Sequence, residues 1–574
     1  MQTAEPRVSL VAWTAQPFHT AVASARTCYA GEFVFVGRLG PKGEATRMSL
    51  EEALPEHQET LARIGDLDTP QDEREALLAG LLAAGDLDAT IVEAAERFAD
   101  LARRRAIGEG RIAQSIYEAG HHTPFQHPTF IFALEGVSRN VVESFFHNHT
   151  FYNSEQQSQR YVEMADAVVH IPASIQALPE AKAAYEEATR ASWLAYHDLR
   201  RRLVASNEKV MGAIGRIKGQ SAGQIHSEAE KKAQEMARYV LPIAARTQLY
   251  HTVSGIVLLR YVRMCEASGV PAEARQVVEA MVEAVRAVDP SFIEQVQETT
   301  RPRGEHLEWQ VGRGQGAPPA WPHDADARSV LVHATPDGDG LVEQALAEVL
   351  GAEVGLERLL DPSLNAVWND TLNTWDHSPA LRTLRHVHLT YRKRLSLTAH
   401  AQDQRHRLTP GSRPQLHRAF GDQPDVYVPD VVTGDPEARA VYDEAIAVLW
   451  QAMATLRGLG VPAEDAAYLL PNAAQITFTQ SGDLLSWIHK WRLRLCFNAQ
   501  KEIFESSLEE LRQAQAALPA LTKFLGPPCT FVAAAQPPEK QDDVDACCPE
   551  GPRWCGVKVW KNFDAGSGRP KRPY

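Results

Sequence analysis

Four polar stretches of the sequence carry residue types that can hold an anionic ligand. The first, NSEQQSQRYVEM at 153–164, places Ser158 two positions before Arg160. A hydroxyl, free backbone N–H groups and a guanidinium can bind a phosphate through charge-assisted hydrogen bonds. A solvated helix start is the alternative interpretation, and composition alone does not decide between the two.

The stretch AQDQRHRLTPGSR at 401–413 concentrates four such groups, Gln402, Arg405, His406 and Arg407. On a helix the first three share one face, and Asp403 and Arg407 are spaced for an i,i+4 ion pair on another. Pro410-Gly411 is predicted to end that helix. A salt-bridged surface helix therefore explains the pattern as well as a binding site does.

The other two stretches each contribute one arginine. Arg238 stands four residues before Pro242 in ARYVLP, which is unremarkable by itself. The stretch LLSWIHKWRLRLCFNAQKEIFE at 484–505 is predicted to form one amphipathic helix. Arg494 lies beside the apolar stripe of that helix, so its head either enters a pocket or snorkels to solvent.

Metal-binding patterns are weak in this sequence. The five histidines between 121 and 149 do not form a His-Glu-x-x-His motif. Four cysteines of a Pro/Gly-rich tail are weak candidates for a structural zinc site, although their spacing fits no standard ribbon: Cys529, Cys547, Cys548 and Cys555. Free thiols in a packed tail are the alternative, and we predict no metal.

Composition and charge exclude several classes of protein. The net charge of -14 over 574 residues argues against general nucleic-acid binding, so an anionic ligand must meet local arginines. No apolar stretch approaches the length of a membrane span, and no secretory signal is visible at the start. Seven cysteines, an odd number, fit a reducing compartment, and we expect a cytoplasmic location.

The elements that must position these residues are arranged in two similar halves. The Gly/Pro/Ala-rich segment 312–327 reads as a linker between domains at 1–311 and 328–574. VSLVAWTAQP is echoed by SVLVHATPDG, and ARYVLPIAARTQLY by AAYLLPNAAQITFT, in the same order on both sides. These matches indicate a duplication, interrupted in the first half by a charged helical insertion at about 41–110.

Helical patterns dominate both halves, with short strands between them. PTFIFALEG at 128–136 and HVHLTY at 386–391 alternate as strands with one buried face do. We predict an α+β fold, twice, in which helices surround a small and mostly antiparallel sheet.

Taken together, the four stretches resemble the flavin-dependent thymidylate synthases. The family signature has an Arg-His-Arg triplet, Ser-x-Arg-Tyr, Arg-x-x-Leu-Pro and a late helix with Arg ahead of Ala-Gln-x-Glu-Ile. The matching positions here are Arg405-His406-Arg407, Ser158-Gln159-Arg160-Tyr161, Arg238 and Arg494 with AQKEI at 499–503. An early His-x-Thr/Ser-Pro element appears as HHTPFQH at 121–127 and, more weakly, as DHSP at 376–379. The resemblance implies two tandem thymidylate-synthase-complementing-like domains.

The signature is divided between the halves. In the first half His147-Asn148-His149 occupies the triplet position, and Cys265 or a neighbour occupies that of the helix arginine. In the second half GSRPQLH at 411–417 replaces the serine motif, and Ala467 replaces the Arg-x-x-Leu-Pro arginine. Since family sites combine residues of several subunits, the resemblance implies one complete composite site per chain and a lost mirror-related one.

The family chemistry assigns roles to these positions. The resemblance implies dUMP binding by Gln402, Ser158, Gln159, Arg160, Arg238 and Arg494, with Arg494 and Ser158 closest to the chemistry. It implies FAD binding by Arg405, His406, Arg407, Ser378 and His489, the last at a position where the family tends to have asparagine. Methylenetetrahydrofolate and NADPH are the implied co-substrates, and a homodimer would mimic the family homotetramer.

Two alternatives stay open on the sequence. The site is altered where Glu155 or Gln156 stands for the acidic residue that usually precedes the serine. The protein is therefore also compatible with a diverged enzyme that hydroxymethylates dUMP or acts on another uridylate. An inactive paralogue that binds nucleotide or flavin is the alternative from a different class.

Overall fold

The computed structural model describes residues 5–28, 34–36, 39, 41–67, 69–84, 87–267, 269–294, 307, 321 and 327–572. Apart from Trp321 and Ala327, the predicted linker at 312–327 lies outside the described residues. Within the described ranges, no helix combines the length and the hydropathy that a membrane crossing requires.

Each half contains a four-stranded antiparallel sheet, and the two sheets share one topology. The order is β1-β2-β4-β3 in the first half and β5-β6-β8-β7 in the second. The strands are β1 Arg7–Trp13, β2 Thr129–Ser138, β3 Asn153–Gln156, β4 Arg246–Ser254, β5 Ser329–Ala334, β6 His388–Ser396, β7 Gly411–Ser412 and β8 Gln475–Asp483. The predicted α+β class and the predicted strands near 128–136 and 386–391 are confirmed.

Helices surround both sheets. Those of the first half are α1 Pro17–Thr27, α2 Pro41–Ala53, α3 Gln58–Gly65, α4 Gln71–Ala83, α5 Ala89–Glu118, α6 Arg139–Val141, α7 Ala173–Gln176, α8 Pro179–Ile217, α9 Ala222–Ala237, α10 Gly255–Met264, α11 Ala272–Arg286 and α12 Pro290–Glu294. Those of the second half are α13 Gly338–Leu350, α14 Leu356–Leu360, α15 Leu397–Asp403, α16 Asp430–Thr433, α17 Pro436–Gly458, α18 Ala463–Ala466, α19 Leu484–Arg494, α20 Lys501–Ala517, α21 Pro528–Ala534 and α22 Val544–Cys547.

The echoed segments ARYVLPIAA and AAYLLPNAA pair with each other across the two halves. The Ile243 and Asn472 N–H groups donate to the Leu470 and Leu241 carbonyls at 2.9 and 2.8 Å. The neighbouring N–H groups repeat the exchange, Ala244 to Tyr468 at 2.9 Å and Ala473 to Tyr239 at 2.8 Å. Such reciprocity is typical of an isologous two-fold interface, here formed within one chain.

One buried glutamate in each half repeats this symmetry. Glu273 accepts from the Ser138 N–H at 2.8 Å and from the Tyr468 hydroxyl of the other half at 2.9 Å. In the second half Glu502 accepts from Ser396 at 2.7 Å and from Tyr239 at 2.8 Å. These carboxylates fasten the start of a helix to the opposite half.

Apolar packing joins the halves as well. One core cluster takes residues from both halves, among them Tyr196 and Val240 of the first and Trp450 and Ile476 of the second. The helices at 41–118 bury a cluster of their own around Leu61 and Phe98. Because a shared core fixes how the halves face each other, residues from both can meet at one site.

Candidate active site

The helix that leads into the Arg-His-Arg triplet ends earlier than the sequence suggests. It spans Leu397–Asp403, and the triplet follows in a turn, so the predicted helix through 409 is wrong. The predicted Asp403–Arg407 ion pair is also wrong, because Asp403 is fully buried between Lys393 and Lys490, at 2.7 Å from each ammonium.

A buried ionic network surrounds this helix end. Lys393 and Lys490 also contact the Glu510 carboxylate, at 2.6 and 3.2 Å. All four side chains are inaccessible to solvent, and although burial opposes it, the two ammonium groups lower the pKa of Asp403 far below its usual range. Two cations and two anions balance, as burial requires.

Among the described residues of the first half, this network has no counterpart. Counted from the equivalent helix starts, the positions of Asp403, Lys490 and Glu510 are taken by Phe145, Tyr261 and Met281. The ionic layer therefore belongs to the half that carries the arginine triplet.

The triplet arginines reach across to strand β3 of the first half. Arg405 donates to the Ser154 carbonyl at 2.7 Å, and Arg407 donates to the Asn153 side-chain oxygen at 2.8 Å. An open polar cavity of about 280 Å³ lies beside them and is lined by β3, β4 and both guanidinium groups. The cavity offers two cationic groups to an anionic ligand.

Arg494 contacts the triplet through its middle residue, His406. The predicted helix at 484–505 is broken at 495–500, and Arg494 ends its first part. Its Nε donates to His406 Nε2 at 2.7 Å, and its Nη2 donates to the Gln402 carbonyl at 3.0 Å. Burial lowers the pKa of His406 well below its usual value and that of Arg494 to about 10, so the histidine is a neutral acceptor and the arginine stays charged at pH 7.

The Ser-Gln-Arg-Tyr stretch follows β3 as a turn, so the solvated helix start is excluded. The Arg160 N–H donates to Ser158 Oγ at 3.2 Å, and the Arg160 guanidinium donates to the Asn498 carbonyl of the second half at 2.9 Å. Arg160 also pairs with Glu235. Although burial opposes ionisation, Lys232 and Arg160 lower the pKa of Glu235 to about 2.

Arg238 lies in a short 3-10 turn, buried at the interface between the halves. Its Nη2 donates at 3.0 Å to Gln500 Oε1, which also accepts from the Gln402 amide. Sequence reasoning missed Gln500, although the matched Ala-Gln-x-Glu-Ile motif contains it. Arg238 from one half and Gln402 from the other thus share one acceptor.

Two buried donors at this place have no partner among the described residues. They are Arg238 Nε and Gln159 Nε2. Leaving a buried donor unpaired costs about 1–3 kcal/mol of stability. A ligand with acceptor oxygens would therefore be stabilised by pairing with these two donors. Of the dUMP candidates, Arg494 contacts the Gln402 carbonyl directly, and Gln500 links Gln402 to Arg238. Arg160, whose N–H donates to Ser158, reaches the nearby Asn498 carbonyl, and Gln159 reaches Asn472, which donates to the Arg238 carbonyl.

The two remaining flavin candidates lie further out. Ser378 Oγ accepts from the Leu381 N–H at 3.3 Å, and its hydrogen bonds are to near neighbours in the chain. The His489 ring lies 6.2 Å from that of His406, and its Nδ1 accepts from the Asn373 side-chain amide at 3.3 Å. His489 therefore borders the triplet, whereas in the described part of the chain no hydrogen bond joins Ser378 to it.

At the mirror-related triplet position the histidines are neutral, although Arg407 and Arg413 line the cavity beside them. His147 and His149 are bonded to Ser154 and Tyr261 at 2.6 and 2.9 Å, and burial lowers the pKa of both. Ala467 borders a small cavity of about 30 Å³, which Arg457 also lines. Neither the two histidines nor Ala467 carries a charge for an anion.

The cysteines of the tail are free and buried. Among the described residues, no three side chains of His, Cys, Asp or Glu converge as a metal ion requires. The weak candidates Cys529, Cys547, Cys548 and Cys555 gain no support from this arrangement.

Comparison with known proteins identifies the family. The family model described as thymidylate synthase complementing protein matches residues 9–291 and 330–520. The chain belongs to this family. The two matched segments fit a tandem arrangement, one in each half.

Two relatives named flavin-dependent thymidylate synthase are similar to part of the chain. The flavin-dependent thymidylate synthase of Clostridium tetani is 32% identical over 173 residues, which is 30% of this chain and 64% of that protein. The enzyme of the same name from Geobacter sulfurreducens is 31% identical over 232 residues, 39% of this chain and 92% of that protein. The prediction that the chain belongs to this enzyme family is confirmed.

A solved structure also matches. The UMP/dUMP methylase PolB from Streptomyces cacaoi, bound with 5-Br dUMP, has 17% sequence identity, with 51% of this chain and 96% of that chain covered. Its TM-score is 0.29.

Proposed function

We propose that the protein is an FAD-dependent thymidylate synthase that converts dUMP to dTMP with methylenetetrahydrofolate and NADPH. The observation that carries the proposal is the hydrogen bonding between the halves, in which Gln500 joins Arg238 to Gln402. The Arg-His-Arg, Ser-x-Arg-Tyr and Arg-x-x-Leu-Pro motifs and the late-helix arginine each survive in only one half, and these contacts join residues of the surviving copies. This arrangement supports one composite site per chain.

The nucleotide side of this site consists of Ser158, Arg160, Arg238, Gln402 and Arg494. The unpaired Arg238 Nε and Gln159 Nε2 are donors for phosphate and uracil oxygens. Arg494, held between His406 and the Gln402 carbonyl, is positioned to stabilise negative charge on a pyrimidine. Fixed donors in a site that excludes water contribute several kcal/mol in such roles.

The flavin side consists of the triplet and the cavity beside β3. Arg405 and Arg407 place two guanidinium groups on a polar cavity, which suits the pyrophosphate of FAD. His406 stays neutral and positions Arg494 rather than contributing charge. When bound, FAD supplies the hydride for reductive methylation. Ser158 has a positioning role in this scheme, which requires no enzyme nucleophile.

The oligomer belongs to the same proposal. Tyr250, which lines the open cavity, is 54% exposed, and Phe151, next in sequence to the lining residue Tyr152, is 63% exposed. Exposed aromatic groups at the mouth of a site favour a partner surface. We propose a homodimer, which light scattering would report as twice the chain mass of 63.4 kDa.

Purified full-length protein tests the function. We expect a yellow protein that takes up FAD, forms dTMP from dUMP with both co-substrates and rescues a thymidine-requiring host. A colourless protein without FAD uptake would contradict the proposal. Bound flavin without dTMP would favour either the hydroxymethylating enzyme, if hydroxymethyl-dUMP forms, or the inactive paralogue, if no product forms.

A further inference from the structure

Two segments that differ between the halves, the long α8/α9 hairpin and the C-terminal tail, meet beside the proposed composite site. The helical hairpin α8/α9 has 39 and 16 residues, whereas its counterpart α17/α18 has 23 and 4. The tail after residue 520 lies beyond the region that the family model matches. The hairpin extension comes from the first half and the tail from the second.

The tail is fixed to the residues that bind Arg160. Asn498, whose carbonyl accepts from Arg160, donates through its amide to the Arg553 carbonyl at 2.7 Å. Arg572 donates to the neighbouring Ala499 carbonyl at 2.6 Å. The tail thus contacts the same short loop that the nucleotide motif contacts.

The tail also packs closely on the hairpin. Gly556 has a positive φ of 81°, and a Cβ atom there would lie 2.5 Å from the Ile214 side chain at the end of α8. Cys555, next to it, is buried in the core of the second half. The tail segment 553–556 is therefore fixed by Asn498 at its first residue and by packing against Ile214 at its last.

Between hairpin and tail lies a cavity of about 260 Å³ that borders Arg160 and Tyr161. Its charged lining consists of Arg160, Lys218, Lys231, Lys232, Arg553, Glu228, Glu235 and Glu550. Five cations thus face three carboxylates, in a protein whose net charge is -14. The cavity has the local charge that an anion requires.

The carboxylates are already engaged by other cations of the lining. Glu235 pairs with Arg160 and Lys232, and Glu228 pairs with Lys218 at 3.3 Å. Glu550 contacts only Arg553 among the described residues, at 3.6 Å, where Arg553 is 84% exposed. Lys231 has no carboxylate within ion-pair distance in the part of the chain that the structure describes. Lys231, which has no such pair, and the exposed Arg553, whose one ion pair is long, are therefore the groups most open to a ligand.

We propose that Lys231 on the hairpin and Arg553 on the tail form an anion subsite next to the nucleotide site, for a phosphate or carboxylate group of a substrate. The inference rests on the proposed function for the identity of the substrates. Two of them carry suitable groups, the 5′-phosphate of dUMP and the glutamate carboxylates of the folate. The tail, which has no counterpart in the family match, then determines how tightly that substrate binds.

Binding measurements on the full chain test the subsite. The double variant Lys231→Ala/Arg553→Ala changes two exposed side chains and is compared with Lys209→Ala/Lys540→Ala, which removes two exposed cations from the same two segments away from the cavity. We expect the first variant to bind inorganic phosphate at least about 10-fold more weakly, as loss of a charge-assisted contact implies.

Two pairs of probes distinguish the sources of the anion. If the subsite takes the nucleotide phosphate, the first variant weakens dUMP binding and leaves deoxyuridine binding unchanged. If it takes the folate carboxylate, tetrahydrofolate binding weakens and tetrahydropteroate binding does not. Dissociation constants for all five probes within twofold of those of the control variant would overturn the subsite. Phosphate binding that depends on these two residues, in a protein that makes no dTMP, would instead overturn the proposed function and leave the subsite standing.

Discussion

Gln500 joins the two halves at a single atom, where its Oε1 accepts from Arg238 and from Gln402. Arg160 makes the second crossing, to the Asn498 carbonyl, and Arg405 makes the third, to the Ser154 carbonyl. Each crossing uses a family residue that survives in one half only. The division of the family motifs between the two halves is therefore visible in individual hydrogen bonds.

The first prediction concerns residues on either side of that division. Ser158→Ala and Arg405→Ala should each lower kcat/KM by about 10²–10³, the range for loss of one preorganised donor. Ser412→Ala, an exposed change on β7, and His149→Ala, in the mirror-related triplet, should have mild effects. Steady-state dTMP formation provides the measurement. If His149→Ala were as damaging as Arg405→Ala, the proposed division would be wrong.

The second prediction concerns buried histidines. Burial lowers the pKa of His251 and His400 to about 3, so both stay neutral in the folded chain. In the unfolded chain each imidazole regains its ordinary pKa of about 6.5 and takes up a proton below that pH. The unfolded state then binds more protons, and the free energy of unfolding falls as the pH drops below 6.5. By pH 5 the loss is about 2 kcal/mol per histidine.

Urea unfolding at pH 7 and pH 5 measures this effect. His400→Gln should lose less stability between the two pH values than the parent protein does. His226→Gln is the matched control, because its partner Glu208 raises the pKa of the exposed His226 and reverses the sign. Equal losses in the parent and in His400→Gln would refute the assignment of His400 as a neutral buried group.

At the scale of elements, the helix α15 and its ionic support decide where the triplet lies. Asp403 ends this helix and is held by Lys393 from β6 and Lys490 from α19. Lys490 is remote in sequence from this helix, whereas Lys393 lies on the strand that leads into it. The network is a positioning device for residues 405–407.

The third prediction tests this device. Asp403→Asn leaves two buried ammonium groups with one carboxylate, so it should cost about 3–5 kcal/mol of unfolding free energy and reduce bound flavin. Asp422→Asn, which removes a 91% exposed partner of Arg457, should cost less than about 1 kcal/mol and leave the flavin content unchanged. Urea unfolding and the flavin absorbance measure both effects. Equal losses in the two variants would refute a positioning role.

Sequence reasoning predicted the elements whose signal is local. The alternation in 128–136 and 386–391 located two strands, and the echoed segments indicated the duplication that the two equal sheet orders display. It placed the end of α15 wrongly, because Asp403 is held by a strand lysine, Lys393, and by Lys490 of α19, neither of which an i,i+4 rule includes. It also missed the break at 495–500, where the chain turns to bring Asn498 and Gln500 to the other half.

At the scale of the whole molecule, the two halves form a pseudo-two-fold pair with unequal sites. The reciprocal hydrogen bonds of 239–244 with 468–473 keep the symmetry, while the motifs, the ionic layer and the hairpin lengths break it. The sequence alone indicated complementary losses. It could not show that the surviving sets face each other, because that depends on how the halves pack.

The stoichiometry of dUMP binding tests the central claim most directly. Equilibrium dialysis should find one dUMP per chain in the parent protein, and Arg238→Ala and Arg494→Ala, on opposite halves, should each raise the dissociation constant of that one site by about 100-fold, equal to about 2.7 kcal/mol. Two bound nucleotides per chain, or tight binding retained in either variant, would contradict a single site shared by the two halves.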